Sequence, residues 1–118
     1  MLDRLKALLE HRRELHEIAQ MDARDLEDVG LSRGQLLQIV ATPDEVAERM
    51  ARMAARHGLT AVELEEYRQD YAHLLATCAQ CHSTGACTHF LADPAASADQ
   101  ATFCPNHEDY VVLTAQPG

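Results

Sequence analysis

Apolar residues in the first part of the chain recur at helical spacing. Leu2, Leu5, Leu8, Leu9, Leu15, Ile18 and Met21 fall largely on one stripe with charges between them, the three- and four-residue recurrence of an amphipathic helix. The pattern predicts a helix over 2–21. Asp22 then stands as the N-cap of a short helix stopped by Gly30. Three further starts carry the capping-box signature: Ser32 with Gln35, Thr42 with Glu45 and Thr60 with Glu63. Pro43 suits a first helical position and Gly58 a C-terminal stop. Val46, Met50 and Met53 share one face of the intervening helix. From Ala61, the positions Leu64, Tyr67, Tyr71, Leu74 and Cys78 predict a single core helix with Cys78 continuing its buried face.

Beyond Cys81 the signals shorten. His82-Ser83-Thr84-Gly85 is turn chemistry, Cys87 opens a short predicted helix through Leu91, and Asp93 to Thr102 reads as a loop. Asn106 is placed to cap a last helix through Tyr110, Val111 and Leu113. No strand pattern and no internal repeat occurs. The predicted fold is an all-α single domain, a bundle of about five to six helices over 1–118. Residues 1–77 form its helical scaffold and 78–118 a cysteine metal-binding segment.

At 118 residues such a domain can bury a core without disulfides. Charges at Asp3, Arg4, Lys6 and Glu10 interrupt the apolar run a secretory leader needs, and no stretch approaches a membrane span. The expected setting is a reducing cytoplasm, where clustered cysteines serve as metal ligands or redox groups before structural disulfides.

The net charge of -9 is unevenly made. All ten Lys and Arg lie at or before Arg68, whereas Asp70, Asp93, Asp99, Glu108 and Asp109 continue beyond it. The cysteine half therefore carries no permanent cation of its own. A lone reactive thiolate needs such a cation or a helix N-terminus, and nucleic-acid binding needs phosphate-neutralising Lys or Arg; a coordinated metal is the simplest agent that would keep neighbouring thiols deprotonated.

The four cysteines are Cys78-x2-Cys81-x5-Cys87 and then Cys104-Pro105-Asn106, one close pair and two singles. Structural zinc favours two close pairs. A [4Fe-4S] cubane accepts thiolates from separate segments, one per iron, and Cys-Pro recurs in ferredoxin runs. Zinc stays open as the alternative, with His82, His89 or His107 able to replace a thiolate. Cys78, Cys81 and His82 also match the C-x-x-C-H pattern of haem c attachment, and C-x-x-C is a thiol-disulfide motif as well.

Other motifs carry less. Leu26 to Ile39 has the helix, glycine turn and helix of a DNA reader, with Arg33 and Gln35 facing bases. Its two arginines stand against Asp22, Asp25, Glu27 and Asp28, a repulsive surface toward phosphate, and a packed αα-corner is the preferred reading. Asp70-x2-His73 resembles half of a di-iron motif whose second copy is absent, so a solvated helix face is expected.

Gly30-Leu31-Ser32-Arg33-x2-Leu36-Leu37, a later Met-rich helix followed by Gly58-Leu59, and C-x2-C-x5-C with Phe103-Cys104-Pro105-Asn106 together resemble an uncharacterised family of small proteins from alphaproteobacteria and relatives. That resemblance implies that Cys78, Cys81, Cys87 and Cys104 act as one unit, and it supplies no activity. Leu15 to Arg33 is similar to short arginine-rich bacterial proteins of L-x-D-I-G-L-x-R type, some linked to RNA regulation, though this chain lacks their arginine density.

The expected function is a non-enzymatic iron-sulfur protein acting in electron transfer or in sensing redox state, oxygen or iron. The alternative is a zinc-stabilised regulatory binding module. Local acid should favour a low reduction potential and a redox or regulatory protein partner with a basic docking surface; nucleic acid and membrane are not expected partners.

Overall fold

A computed structural model of the chain describes residues 2–115. Among them are eight α-helices and one 3₁₀ turn, without strands, in two compact units, Met1–Pro43 and Asp44–Gly118. The helix count among the described residues exceeds the expected five to six.

In the first unit α1 (Leu2–Gln20), α2 (Ala23–Val29) and α3 (Arg33–Ala41) follow the predicted signals closely. Asp22 and Ser32 each close a capping box, with Asp25 and Gln35, and Gly30 ends α2 in the left-handed conformation. Helix α1 packs on α3, with Ile18 and Leu31 buried. Arg33 does not project toward solvent as a DNA reader would. Its guanidinium donates to the carbonyls of Ile18, Ala19 and Met21 at and just past the end of α1, where helix carbonyls run out of intrahelical donors; the Ile18 carbonyl also accepts from Met21 N–H. Gln35 closes the Ser32 box. Both side chains of the base-facing reading are thus occupied locally. The Thr42 hydroxyl, expected to cap the helix after it, donates back to Gln38, and Thr42 is the C-cap of α3.

The second unit holds α4 (Asp44–Arg56), α5 (Ala61–Glu66), α6 (Arg68–Ala79), α7 (Thr84–Ala92), the 3₁₀ turn Ala98–Gln100 and α8 (His107–Ala115). Its core is built from Met50, Met53 and Ala54 of α4, Leu59, Leu64, Leu74, Leu75, Phe90, Leu91, Tyr110 and Leu113. Helix α4 ends in a Schellman motif: Leu59 N–H reaches the Ala54 carbonyl, Gly58 N–H reaches Ala55, and Gly58 takes φ 88°. The predicted single helix from Ala61 is broken at Tyr67, whose ψ of 64° ends α5 before α6 begins. No Gly or Pro marks that break, so spacing alone ran through it. Helix α7 starts at Thr84, ahead of Cys87. Ser97 and Gln100 form a fourth capping box inside the expected loop, a signal that was present in the sequence as S-x-x-Q. Asp70 and His73 are exposed, as a solvated face requires.

No helix among the described residues is long and apolar enough to cross a membrane.

Candidate metal centre

Cys78 lies in the last turn of α6, Cys81 in the turn that follows, Cys87 in the first half of α7 and Cys104 just ahead of α8. All four line one cavity of about 20 Å³, walled by Met50, Met53, Phe103, Pro105 and Tyr110. They are free thiols; Cys87 is buried and the other three are partly buried. The convergence follows from local structure. Helix α6 ends at Ala79, the chain turns back through Ser83, and α7 carries Cys87 under the turn while Pro105 and Asn106 lead Cys104 into α8. A void of this size has room for about one water-sized group.

Two of the sulfurs are held by backbone amides. Ser83 N–H donates to Cys81 Sγ at 3.2 Å, and the amides of Asn106 and His107 favour the thiolate of Cys104. Burial works the other way. It pushes the Cys78 thiol up, although the charge of the neighbouring Arg49 guanidinium favours the thiolate. It likewise pushes up Cys87, with like-charge repulsion from Cys104 adding to it, and it outweighs the two amides at Cys104. Burial thus favours the thiol form of these three groups, and a bound cation would convert them to thiolates.

Arg49 adds to the sequence reading. The cysteine half has no Lys or Arg of its own, yet α4 brings one to the wall of the cavity. Its spacing from Val46, Met50 and Met53 on α4 was visible in the sequence; which face of α4 meets Cys78 was not. Asn106 differs from its expected role too. It is 1% exposed and its Nδ2 donates to the Leu74 carbonyl at 2.9 Å, so its side chain ties α8 to α6, while its own carbonyl accepts from Tyr110 N–H as the first bond of α8. Asn106 Oδ1 is buried without a hydrogen-bond partner, an unsatisfied acceptor on a residue lining the cavity, and burying such an atom costs about 1–3 kcal/mol.

Of the histidines proposed as substitute ligands, His82 and His89 are exposed. His107 turns to His57 instead: His57 Nε2 and His107 Nδ1 are 2.8 Å apart. Because His57 Nδ1 faces the Met53 carbonyl at 2.9 Å, which can only accept, the neutral His57 ring carries its proton there and accepts from His107 through Nε2. The His57 ring leans on Tyr110 at 4.9 Å, and burial raises the Tyr110 hydroxyl pKa. Across the unit Arg56 donates to the carbonyls of Leu91, Asp93 and Ala96 around the end of α7 and lies 5.4 Å over the Phe90 ring. That fork holds down the helix that carries Cys87. Among the described residues no three His, Cys, Asp or Glu groups stand close enough to hold a single metal ion as they are.

An all-helical chain with four cysteines gathered on one cavity is the class that fold and site define. The chain belongs to a family of unknown function (DUF6455), whose model matches residues 37–116. Residues 1–37 match the model of a YjiS-like domain, so the two matched segments meet close to the division between the compact units. No curated protein and no solved structure matches the chain.

Proposed function

We propose that Cys78, Cys81, Cys87 and Cys104 supply the four thiolates of one [4Fe-4S] cluster, used for one-electron transfer or for sensing redox state, oxygen or iron. The observation that carries this reading is the meeting of all four cysteines, from three separate segments, on one apolar-walled cavity. A cubane takes one thiolate per iron and tolerates such scattered origins. Amides on Cys81 and Cys104 and the Arg49 charge beside Cys78 are the interactions by which a protein tunes a cluster's potential. Met50 and Met53, unbranched and adaptable, are the wall residues able to make room for it. With every iron already carrying a thiolate, the centre suits electron transfer or sensing better than substrate chemistry, in a cytoplasmic setting and with a protein partner that offers basic side chains.

The compactness of the cavity favours a second reading, a single zinc ion that stabilises a regulatory interaction surface. Anaerobic purification with iron, sulfide and zinc analysis and a visible spectrum separates the two. Iron and sulfide in equal amounts with broad visible absorption support the cluster; colourless protein with one zinc supports the second reading; covalent haem on Cys78 and Cys81 contradicts both.

A further inference from the structure

Cys78 and Cys81 stand at the two ends of a closed turn. Cys81 N–H donates to the Cys78 carbonyl at 3.1 Å, and a turn closed by such a bond holds its end Cα atoms within about 7 Å. A disulfide spans a Cα separation of about 4.4–6.8 Å. Both side chains line the same small cavity, so they converge on one space, and both are free thiols. Cys81 also faces outward. Of the four cysteines it alone lines an open groove of about 420 Å³, between Gln80, His82 and Ser83 on one side and Phe103 with Pro105 on the other. Ser83 N–H holds Cys81 Sγ at that mouth at 3.2 Å. No lining residue of the groove is an acid, a lysine or an arginine, so an approaching group meets no permanent charge there.

We infer that Cys78 and Cys81 form a dithiol–disulfide couple that reduces an accessible disulfide bond, with Cys81 as the attacking sulfur and Cys78 as the resolving one. This goes beyond the cluster reading, since it needs only two thiols and operates while those thiols carry no metal. Access sets the order, because thiol–disulfide exchange begins at the sulfur the incoming disulfide can reach. Cys81 loses its proton to solvent and its sulfur attacks one sulfur of the incoming disulfide. A bond forms between them, the incoming disulfide breaks, and its other sulfur leaves and takes up a proton. Cys78 then gives its proton to solvent and attacks Cys81 Sγ. The bond from Cys78 to Cys81 forms, the mixed disulfide breaks, and the second sulfur leaves and is protonated. The two cysteines lose two electrons and the incoming disulfide gains them. Cys87 is buried and Cys104 does not line the groove, so neither takes part.

The test uses the full chain, purified anaerobically with its metal content measured. It is mixed with a small disulfide, hydroxyethyl disulfide, or with a protein disulfide, insulin, and a strong chelator is present so that no thiol is held by a metal. Samples quenched in acid are alkylated and mapped by mass spectrometry. One disulfide between Cys78 and Cys81 should form per chain, with two thiols released from either reagent that reacts. Cys81 should react about tenfold faster than any other cysteine, a preference that should disappear in guanidinium chloride. Cys78→Ser should stop at a mixed disulfide on Cys81. A first disulfide through Cys87 or Cys104, an adduct of Cys78→Ser on another cysteine, or no thiol release from either reagent would overturn the inference. Metal content separates it from the cluster reading. A chain that holds no metal yet joins Cys78 to Cys81 overturns the cluster alone, whereas a chain purified with a full complement of iron and sulfide whose thiols stay reduced after chelation overturns the couple alone.

Discussion

The Arg33 guanidinium donates to the carbonyls of Ile18 and Ala19 at 2.8 and 2.9 Å, closing the end of α1 with a side chain from the start of α3. Charge-assisted bonds of this kind contribute about 1.5–3 kcal/mol, and a cation at a helix C-terminus adds to that. Arg33→Ala should lower the stability of residues 1–43 by about 2 kcal/mol, read as lost helicity in circular dichroism and faster amide exchange at Ile18 to Met21. Arg33→Lys should recover only part of it, since a lysine cannot fork across several carbonyls. An unchanged Arg33→Ala protein would remove the clamp from the account.

Gly58 sits at φ 88° with open space where a Cβ would stand. A substitution there meets no steric clash, only the backbone cost of the left-handed region, about 1 kcal/mol. Gly58→Ala should lower the melting temperature of the unit without altering metal content. A larger loss, or a change in metal content, would show that the Schellman turn does more than end α4.

The His57 pair predicts a pH dependence. Burial lowers the His57 pKa, the Met53 carbonyl pulls it back up, His107 lowers it further and Asp99 raises it. The folded ring thus binds its proton less readily than the unfolded one. As pH falls through the unfolded value near 6.5 the unfolded state takes up a proton that the folded state does not, and stability drops until pH passes below the folded pKa. Melting temperature should fall from pH 7.5 toward pH 5, and His57→Gln should flatten the profile in that window. Parallel profiles for the two proteins would contradict the assignment.

Most of the elements were legible in the sequence because helix ends are written in local chemistry. Asp22, Ser32 and Thr60 cap where their side chains predict, and Gly30 and Gly58 stop helices at positive φ. What failed was non-local. Tyr67 breaks a helix without a breaker residue, Thr42 caps the helix behind it, and the Asn106 amide leaves its own helix for Leu74. The cysteines were recognisable from spacing, since C-x2-C and Cys-Pro are local. Arg49 was not, because its place at the cavity depends on how α4 packs against α6.

Arg49 supplies a prediction of its own. Reduction adds negative charge, which a neighbouring cation favours, so this residue opposes the low potential expected from the surrounding acid. Arg49→Gln should lower the potential of the loaded centre by an amount on the order of tens of millivolts, measured by voltammetry. A rise in potential on losing the cation would contradict the placement of Arg49 beside Cys78.

The most direct test of the central claim is metal stoichiometry in the native chain beside Cys87→Ser, purified anaerobically. Cys87 is the most buried of the four thiols, 8% exposed, and serine preserves its size. The account predicts a full complement of iron and sulfide, or of zinc on the second reading, in the native chain and its loss in the variant, with helicity retained. Full metal occupancy in Cys87→Ser, or a native chain that holds no metal at all, would contradict it.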